Sequence, residues 1–218
     1  MSSPILNKAT IVLLAISTAA CTSVQAVNQN NASTASTATV IDTTSLSTYN
    51  LDPHHSNVRF AINHMNTSTM TGGFYELTGT VKYSAKAQTG YVKINIPMES
   101  MHTISKQFTE HLKGKDFFDT TTYPTATFES NKWYFDNKTH PEKVTQIDGN
   151  LTLHGITQPI TLTATSFNCY FNPIAKKTAC GGDFTTTIDR TKWKIDKYVL
   201  LGIPKEVKLD IEIEALKQ

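Results

Sequence analysis

The feature that most constrains this fold is a strict alternation of apolar and polar side chains in residues 147–165. The apolar parity holds Ile147, Gly149, Leu151 and Leu153, and after residues 155–159 it resumes with Ile160, Leu162 and Ala164. The polar parity holds Asp148, Asn150, Thr152 and His154, and later Thr161, Thr163 and Thr165. A period of two places one face of a strand in an apolar interior and the other in water. The stretch therefore predicts an antiparallel hairpin.

The same alternation recurs along the chain and predicts about eight strands in all. Its other apolar runs begin near Val58, Tyr75, Val92, Ala126, Phe184 and Val207. The pattern changes between residues 101 and 119, where Ile104, Phe108 and Leu112 recur every four residues and Gly114 follows. This spacing predicts one short helix that ends at the glycine.

Eight amphipathic strands must bury their apolar faces, either as a sandwich or as a barrel closed on itself. Sequential strands joined by short turns favour an up-and-down antiparallel barrel. An eight-stranded barrel has an interior that side chains can fill or that can hold one small ligand. The alternation alone does not choose between these two interiors.

The N-terminal residues have the pattern of an export signal. One positive charge, Lys8, precedes a short apolar core over residues 9–16, and residues 24–26 form a small-x-small cleavage site. Residues 18–21 alternatively resemble a bacterial lipobox, in which Cys21 would be acylated and anchor the protein to a membrane. The first prediction assigns residues 1–26 to an export signal, and the second places cleavage before Cys21.

Residues 27–48 consist almost entirely of Ser, Thr, Asn, Ala, Val and Gln. Such a segment buries too little apolar area to offset the entropy of ordering it, so we predict a disordered tether. The folded domain is predicted to span residues 49–218. Export would place it in the periplasm, either soluble or lipid-anchored.

Charge and composition exclude two classes of protein. The formal net charge is +2 with no basic run, so the sequence lacks the electrostatic pattern of a nucleic-acid-binding protein. It also lacks an apolar stretch long enough to span a bilayer as a helix.

The two remaining cysteines, Cys169 and Cys180, flank a predicted turn at residues 172–177. Paired cysteines in an exported chain commonly form disulfides. A short loop closed in this way contributes about 2–3 kcal/mol on the chain-entropy account. A metal-binding or redox pair is the alternative, although such pairs are usually spaced more closely.

Several motifs, taken in order, resemble the YceI-like family of bacterial polyisoprenoid-binding or lipid-binding barrels. These motifs are His55-Ser56 with Val58, Phe60, Ile62 and His64; Gly73-Phe74; Leu112 with Asp116-Phe117-Phe118; Tyr123-Pro124 with Ala126 and Phe128; Gly149 to Gly155 with Pro159; and, less closely, Ile188 to Trp193. The resemblance covers the whole predicted domain. It implies an all-β fold: an eight-stranded antiparallel lipocalin-like barrel with one short helix.

The resemblance also implies that the interior is a tunnel for a long apolar molecule, such as an isoprenoid quinone, a polyisoprenoid or a fatty amide. The predicted tunnel lining is Phe60, Ile62, His64, Leu77, Val92, Ile94, Ile96, Phe128, Leu151, Leu153, Leu162, Phe184, Leu209 and Ile211. The predicted entrance residues are Phe117, Phe118, Tyr123 and Trp133. The alternative is that these side chains form an ordinary packed core, with the aromatic residues holding the helix on the barrel.

Polar residues offer few candidates for chemistry. His64 shares a face with Phe60 and Ile62, so it could meet a ligand head group or be a core histidine. Arg59 and Arg190 are the only arginines, and either could pair with a pyrophosphate or be a structural charge. No nucleophile motif or compact metal-ligand pattern is present, so we predict no catalytic residue, no metal and no cofactor.

The preferred hypothesis is therefore a non-enzymatic periplasmic protein that binds, transports or sequesters a long-chain lipid. An envelope stress-response or interaction lipoprotein that uses the barrel as a scaffold is the alternative. An enzyme acting on a bound lipid is a third possibility. A homodimer is compatible with each of them.

Overall fold

The computed structural model describes residues 46–218, which contain twelve strands, one α-helix and three short 3-10 helices. The strands are β1 (Ser47–Leu51), β2 (Asn57–His64), β3 (Ser68–Phe74), β4 (Thr78–Ser84), β5 (Thr89–Pro97), β6 (Met101–Thr103), β7 (Thr125–Phe135), β8 (Val144–Leu153), β9 (Ile156–Ala164), β10 (Asn168–Asn172), β11 (Lys177–Asp189) and β12 (Glu206–Lys217). The α-helix, α1, spans Lys106–Lys113, and the 3-10 helices span Met98–Ser100, Arg190–Trp193 and Val199–Leu201. The predicted export signal, most of the predicted tether and Cys21 lie outside the described residues.

Eight of the strands form a closed antiparallel barrel in the order β11-β9-β8-β7-β5-β4-β1-β12, with β12 pairing again with β11. Every pairing in this ring is antiparallel. The predicted fold class is confirmed: an eight-stranded antiparallel barrel with one helix. Folded structure includes residues 46–48, which were assigned to the tether from the sequence, since Leu46 is buried and β1 starts at Ser47.

Four strands lie outside the ring. β1 and β2 follow one another along the same edge of β12, with β1 opposite residues 215–217 and β2 opposite residues 208–212. β3 and β6 then extend the sheet from β2, and β10 forms a hairpin with β11. The extra strands β2, β3 and β6 continue one wall of the barrel beyond β1 and β4.

The predicted hairpin at residues 147–165 is β8 and β9, with the predicted parity facing inward. Its turn is tighter than predicted, because β9 already begins at Ile156 and includes Pro159 opposite Asn150. Only His154 and Gly155 form the turn, and both have positive φ (49° and 71°), as a two-residue turn between twisted strands requires. A Cβ on Gly155 would also lie 2.6 Å from the Tyr123 ring.

The helix α1 ends before Gly114, as the sequence predicts, but it begins only at Lys106. Ile104, the first residue of the predicted four-residue repeat, lies before the helix and is exposed, because Ser105 takes the N-cap position. The Ser105 hydroxyl caps its N-terminus by accepting a hydrogen bond from the Phe108 amide at 3.2 Å, and Gly114 follows its last residue. Leu112 is buried and Phe108 packs partly buried against the core. No helix in residues 46–218 is both long enough and apolar enough to cross a membrane.

Candidate functional site: an apolar cavity along the barrel

Two cavities occupy the barrel interior. The larger has a volume of about 310 Å³ and the smaller about 80 Å³. For comparison, an apolar protein cavity of about 150 Å³ is enough to admit benzene. Val58, Ile96, Leu151 and Leu209 line both cavities, so the two share a boundary, which we call the waist.

The cavities lie end to end along the strands. On β12, Val207 lines the large cavity, Leu209 lies at the waist, and Ile211 and Ile213 line the small cavity. The same order holds on β8. Strands rise about 3.3 Å per residue, so the wall from Val207 to Ile213 extends for about 20 Å. This shape suits an elongated apolar molecule better than a compact one.

The large cavity reaches the surface at one end, which we call the mouth. Three of its lining side chains are exposed: His64 at the end of β2, His111 on α1, and Tyr198 in the segment before β12. The Tyr198 ring lies 6.3 Å from the His111 ring and 5.9 Å from the Phe117 ring, measured between centroids. The mouth is therefore bounded by the β2–β3 hairpin, by α1 with the loop after it, and by the segment containing Tyr198.

The small cavity ends at a cluster of aromatic rings, the aromatic end, formed by Tyr83, Trp133, Phe135 and Phe167. Tyr83 lies at its centre, with ring centroids 6.1, 6.3 and 5.4 Å from those of the other three in that order. Burial of Tyr83 raises the pKa of its hydroxyl to about 12, and the hydroxyl donates a hydrogen bond to the carbonyl of Glu142. None of the side chains that line the small cavity is exposed.

The structure places most of the predicted tunnel residues on the cavity walls. Phe60, Ile62, His64 and Leu153 line the large cavity, and Ile96, Leu151 and Leu209 lie at the waist. The predicted residues on the wall of the small cavity are Val92, Ile94, Phe128, Leu162, Phe184 and Ile211. Leu77 lines neither cavity and instead lies fully buried in the core beside β4. Whether the wall residues contact a ligand stays a prediction.

The four predicted entrance residues separate into three locations. Phe117 and Phe118 line the large cavity. Tyr123 lines neither cavity and packs edge-on against His154, with ring centroids 4.5 Å apart. Trp133 lies at the aromatic end, where its Nε1 donates to Ser130 Oγ at 3.0 Å and its ring fills the space left by Gly90. Trp133 was predicted at the entrance but lies at the opposite end of the barrel, because the sequence does not indicate which end of a strand faces the mouth.

Arg190 is the one charged side chain in the wall of the large cavity, and it is buried. Its guanidinium donates to the carbonyls of Ile195 (2.6 Å), Lys197 (3.0 Å) and Pro204 (3.0 Å), and more weakly to that of Ile203 (3.4 Å). Burial lowers the pKa of the guanidinium from its usual value. Arg190 thus fixes the backbone of residues 195–204, which we call the mouth segment.

Arg59, by contrast, has no part in the cavity. Its side chain is exposed on the outer face of β2 and pairs with Glu212 on β12. Of the two arginines considered as partners for a charged head group, only Arg190 therefore lies on the cavity wall.

Two further groups lie away from the cavity mouth. A disulfide joins Cys169 and Cys180, which face each other across the β10–β11 hairpin. Asp52, His55 and Glu214 could together hold a metal ion, since one ligand atom from each lies within 4.8 Å of the others. Their side chains already have partners, however: His55 Nδ1 lies 2.9 Å from Asp52, and Glu214 accepts from Tyr170 at 2.8 Å.

Several wall residues were not predicted from the sequence. Val58, Ile147, Ile160 and Ile213 were on the apolar parity of their strands, so the signal was present although they were not selected. Tyr198 and Ile203 lie in a segment without alternation, and only its high apolar content could have indicated a role. His111 lies on the exposed face of the helix. The four-residue spacing of apolar residues identifies only the buried face, so it gave no signal for His111.

These features define a class of protein: a closed lipocalin-like barrel with an elongated, almost wholly apolar interior and one polar-edged mouth. A family model described as the YceI-like domain matches residues 49–215. The chain belongs to the YceI-like family.

Similar proteins by sequence include bacterial UPF0312 proteins. One from Pseudomonas savastanoi is 34% identical over 112 residues, 51% of this chain and 56% of that protein. One from Pseudomonas fluorescens Pf-5 is 31% identical over 166 residues, 75% of this chain and 82% of that protein. The match thus spans little more than half of the first relative and most of the second.

Solved structures show the same fold. A YCEI protein from Campylobacter jejuni has a TM-score of 0.60 at 24% identity and covers 72% of this chain and 90% of its own. BcnA from Burkholderia cenocepacia has a TM-score of 0.58 at 22% identity and covers 76% and 99%. A polyisoprenoid binding domain from Saccharophagus degradans has a TM-score of 0.56 at 15% identity and covers 78% and 98%.

Proposed function

We propose that this protein binds one long apolar molecule along its barrel and carries or sequesters it in the periplasm. Isoprenoid quinones, polyisoprenoids and fatty amides are the ligand classes that fit. The observation that carries the proposal is the pair of cavities joined at the waist, because their walls are apolar over about 20 Å of strand. Each methylene moved from water into such a cavity contributes about 0.8 kcal/mol, so a long tail binds without any catalytic group.

The position of the polar groups supports one orientation of the ligand. His64, His111 and Tyr198 lie at the mouth, while the aromatic end offers rings whose polar atoms already have partners. The ligand tail therefore points toward the aromatic end and the head group stays at the mouth. The Saccharophagus degradans domain with this fold is described as polyisoprenoid-binding, in agreement with this ligand class.

The disulfide supports export, since disulfides persist in oxidising compartments such as the periplasm. Processing before Cys21 would add a membrane anchor, and processing after Ala26 would release a soluble protein. Labelling with a palmitate analogue, compared between the natural chain and Cys21→Ser, distinguishes these two forms.

The two tryptophans allow a direct binding test. Trp133 lines the small cavity, while Trp193 is buried outside both cavities and is replaced by Phe to leave one reporter. Isoprenyl alcohols of increasing chain length are titrated, and Trp133 fluorescence is followed. We expect short chains to leave Trp133 unchanged and chains long enough to pass the waist to change its emission.

A waist substitution provides the matched test. Ile96→Phe adds volume where the two cavities meet, so it should abolish the response of Trp133 to long chains. Thr157→Phe adds the same ring at an exposed position on β9 and should leave the titration unchanged. If Ile96→Phe is stably folded and still gives the full response, a tail lying through the waist is excluded.

A further inference from the structure

The surface around the mouth is unusually apolar for residues in contact with water. Leu200 is 100% exposed and Leu201 67%, in the 3-10 helix of the mouth segment. Met65, at the tip of the β2–β3 hairpin, is 52% exposed, and its thioether lies against Gly202 of the same segment. We call Met65, Tyr198, Leu200 and Leu201 the mouth patch.

The mouth patch is held in place by the fold. Arg190 ties the backbone on both sides of it through the carbonyls of Ile195, Lys197 and Pro204. Tyr198 packs against His111 and Phe117. Tyr198 also lines the large cavity, so the mouth patch is continuous with the cavity wall. Two leucines on a fixed turn, with their side chains in solvent, gain nothing for the stability of the fold, because the hydrophobic effect favours their burial.

The charge of this region complements an anionic surface. Residues 190–208 contain six basic and two acidic side chains, whereas the whole chain has 20 basic and 18 acidic ones. Lys192 and Lys194 are exposed, and neither forms an ion pair with another residue in the described range 46–218. Exposed apolar side chains beside lysines are the pattern of an interfacial membrane contact.

We propose that the mouth patch docks on the surface of an anionic phospholipid bilayer, with Leu200 and Leu201 inserted among the lipids. Docking sets the cavity mouth against the bilayer, so a long apolar molecule passes between membrane and barrel without crossing water. The role of docking in lipid transfer rests on the proposed function, whereas docking itself is measured independently of any bound lipid.

The chain offers a matched control surface. Ile174 is 93% exposed and Phe171 65% exposed on the β10–β11 hairpin, close to the values for Leu200 and Leu201. Phe171 is on β10 opposite Thr178, and Ile174 is in the turn before β11, whereas the mouth segment follows the other end of β11 at Asp189. The hairpin also carries Lys176 and Lys177. The hairpin thus matches the mouth patch in apolar exposure, but residues 168–180 contain only two basic and no acidic side chains, a smaller basic excess than in residues 190–208, and the hairpin does not adjoin the mouth.

The test uses the exported protein with Cys21→Ser, so that no acyl chain anchors it, and sedimentation with phosphatidylglycerol-containing vesicles. Losing the burial of two leucines lowers binding by ~10-fold or more, so Leu200→Asp with Leu201→Asp should show at least this loss. Ile174→Asp with Phe171→Asp should bind as the parent does. Lys192→Glu with Lys194→Glu should weaken binding most at low salt, because exposed charges are screened as salt rises.

Equal loss in both aspartate pairs, or no vesicle binding by the parent, overturns the proposal. So does a parent dimer that the Leu200 and Leu201 changes convert to monomer without any vesicle binding, since a second copy would then cover the patch. Lipid extracted from the same preparations separates the two hypotheses. Docking without bound lipid contradicts the proposed function alone, and bound lipid without docking contradicts this inference alone.

Discussion

The two ends of the barrel interior are built differently. At the aromatic end, four rings pack around Tyr83, and the wall of the small cavity has no exposed side chain. At the mouth, exposed polar side chains line the wall, and the mouth segment, which pairs with no strand, completes it. Arg190 holds the mouth segment by donating hydrogen bonds to the backbone carbonyls of that segment. The exposed lining side chains therefore indicate the mouth, rather than the aromatic end, as the route into the barrel.

The largest effect we expect follows from breaking the aromatic end. Tyr83→Ala removes the ring that contacts Trp133, Phe135 and Phe167, and loss of a buried aromatic side chain typically costs about 3–5 kcal/mol. Tyr75→Ala, at a ring that is 44% exposed, should cost less than about 1 kcal/mol. Denaturant unfolding followed by circular dichroism measures both. Equal losses would show that the cluster has no special role.

The disulfide supports the sheet beside the small cavity, where Cys180 is part of the wall. Replacing Cys169 and Cys180 together by Ser should reduce the free energy of unfolding by about 2–3 kcal/mol. The parent protein measured in dithiothreitol should unfold at the same denaturant concentration as the double variant. A parent that reductant leaves unchanged would mean that the bridge adds no stability.

At the mouth, Arg190→Met keeps an unbranched stem that reaches about as far as Nε and removes all the hydrogen-bond donors of the guanidinium. The carbonyls of Ile195 and Pro204 lose their partner, and unsatisfied buried polar groups cost about 1–3 kcal/mol. Hydrogen exchange should rise in residues 195–204 and stay unchanged around Tyr83. Hydrogen exchange of Arg190→Lys in these residues should fall between that of the natural protein and that of Arg190→Met. One ammonium group cannot reach all the carbonyls that a planar guanidinium reaches. Uniform exchange along the chain would contradict a local role.

The smallest effect concerns pH. His55 donates a hydrogen bond to the Asp52 carboxylate, which raises the pKa of His55. The stabilisation from this pair is therefore present below the unfolded value of 6.5 and is lost as pH rises through the folded pKa. Burial raises the pKa of Asp52, but hydrogen bonds from His55 and from the His54 amide outweigh it and lower the pKa. This second contribution is therefore present above 3.8 and is lost as pH falls through the folded pKa.

Because the His55 side chain is 61% exposed, solvent screens this pair, and it contributes less than about 1 kcal/mol. The melting temperature should therefore fall slightly between about pH 6 and pH 8, and His55→Asn should remove that change. The pair lies in the β1–β2 turn next to Glu214, so hydrogen exchange at the mouth should not follow it. A mouth segment that loosens over the same pH range would contradict this separation.

The fold was largely predictable because its main strands carry a strong period-two signal. β8 and β9 had the correct parity, and α1 followed from the spacing of Phe108 and Leu112 before Gly114. β3 was missed because its sequence has almost no apolar alternation, and its strand conformation depends on pairing with β2. β1 and β6 were missed because short strands of five and three residues give little periodicity.

The site was predictable along the strands and unpredictable at its ends. Alternation identifies inward-facing residues such as Ile96 and Leu209, but it does not separate a cavity wall from a packed core, as Leu77 shows. The mouth depends on Tyr198 and the backbone contacts of Arg190, which join residues from segments without a repeating pattern. Such contacts depend on three-dimensional arrangement, which sequence spacing does not encode.

The central claim is that the barrel holds one long apolar molecule, and native mass spectrometry of the protein purified from its own host tests it most directly. We predict an added mass equal to one long-chain lipid per chain, which organic extraction removes and which high-resolution mass spectrometry then identifies. The Ile96→Phe variant should lose this added mass, and Thr157→Phe should keep it. A natural protein that shows only the mass of its processed polypeptide before extraction would contradict the account.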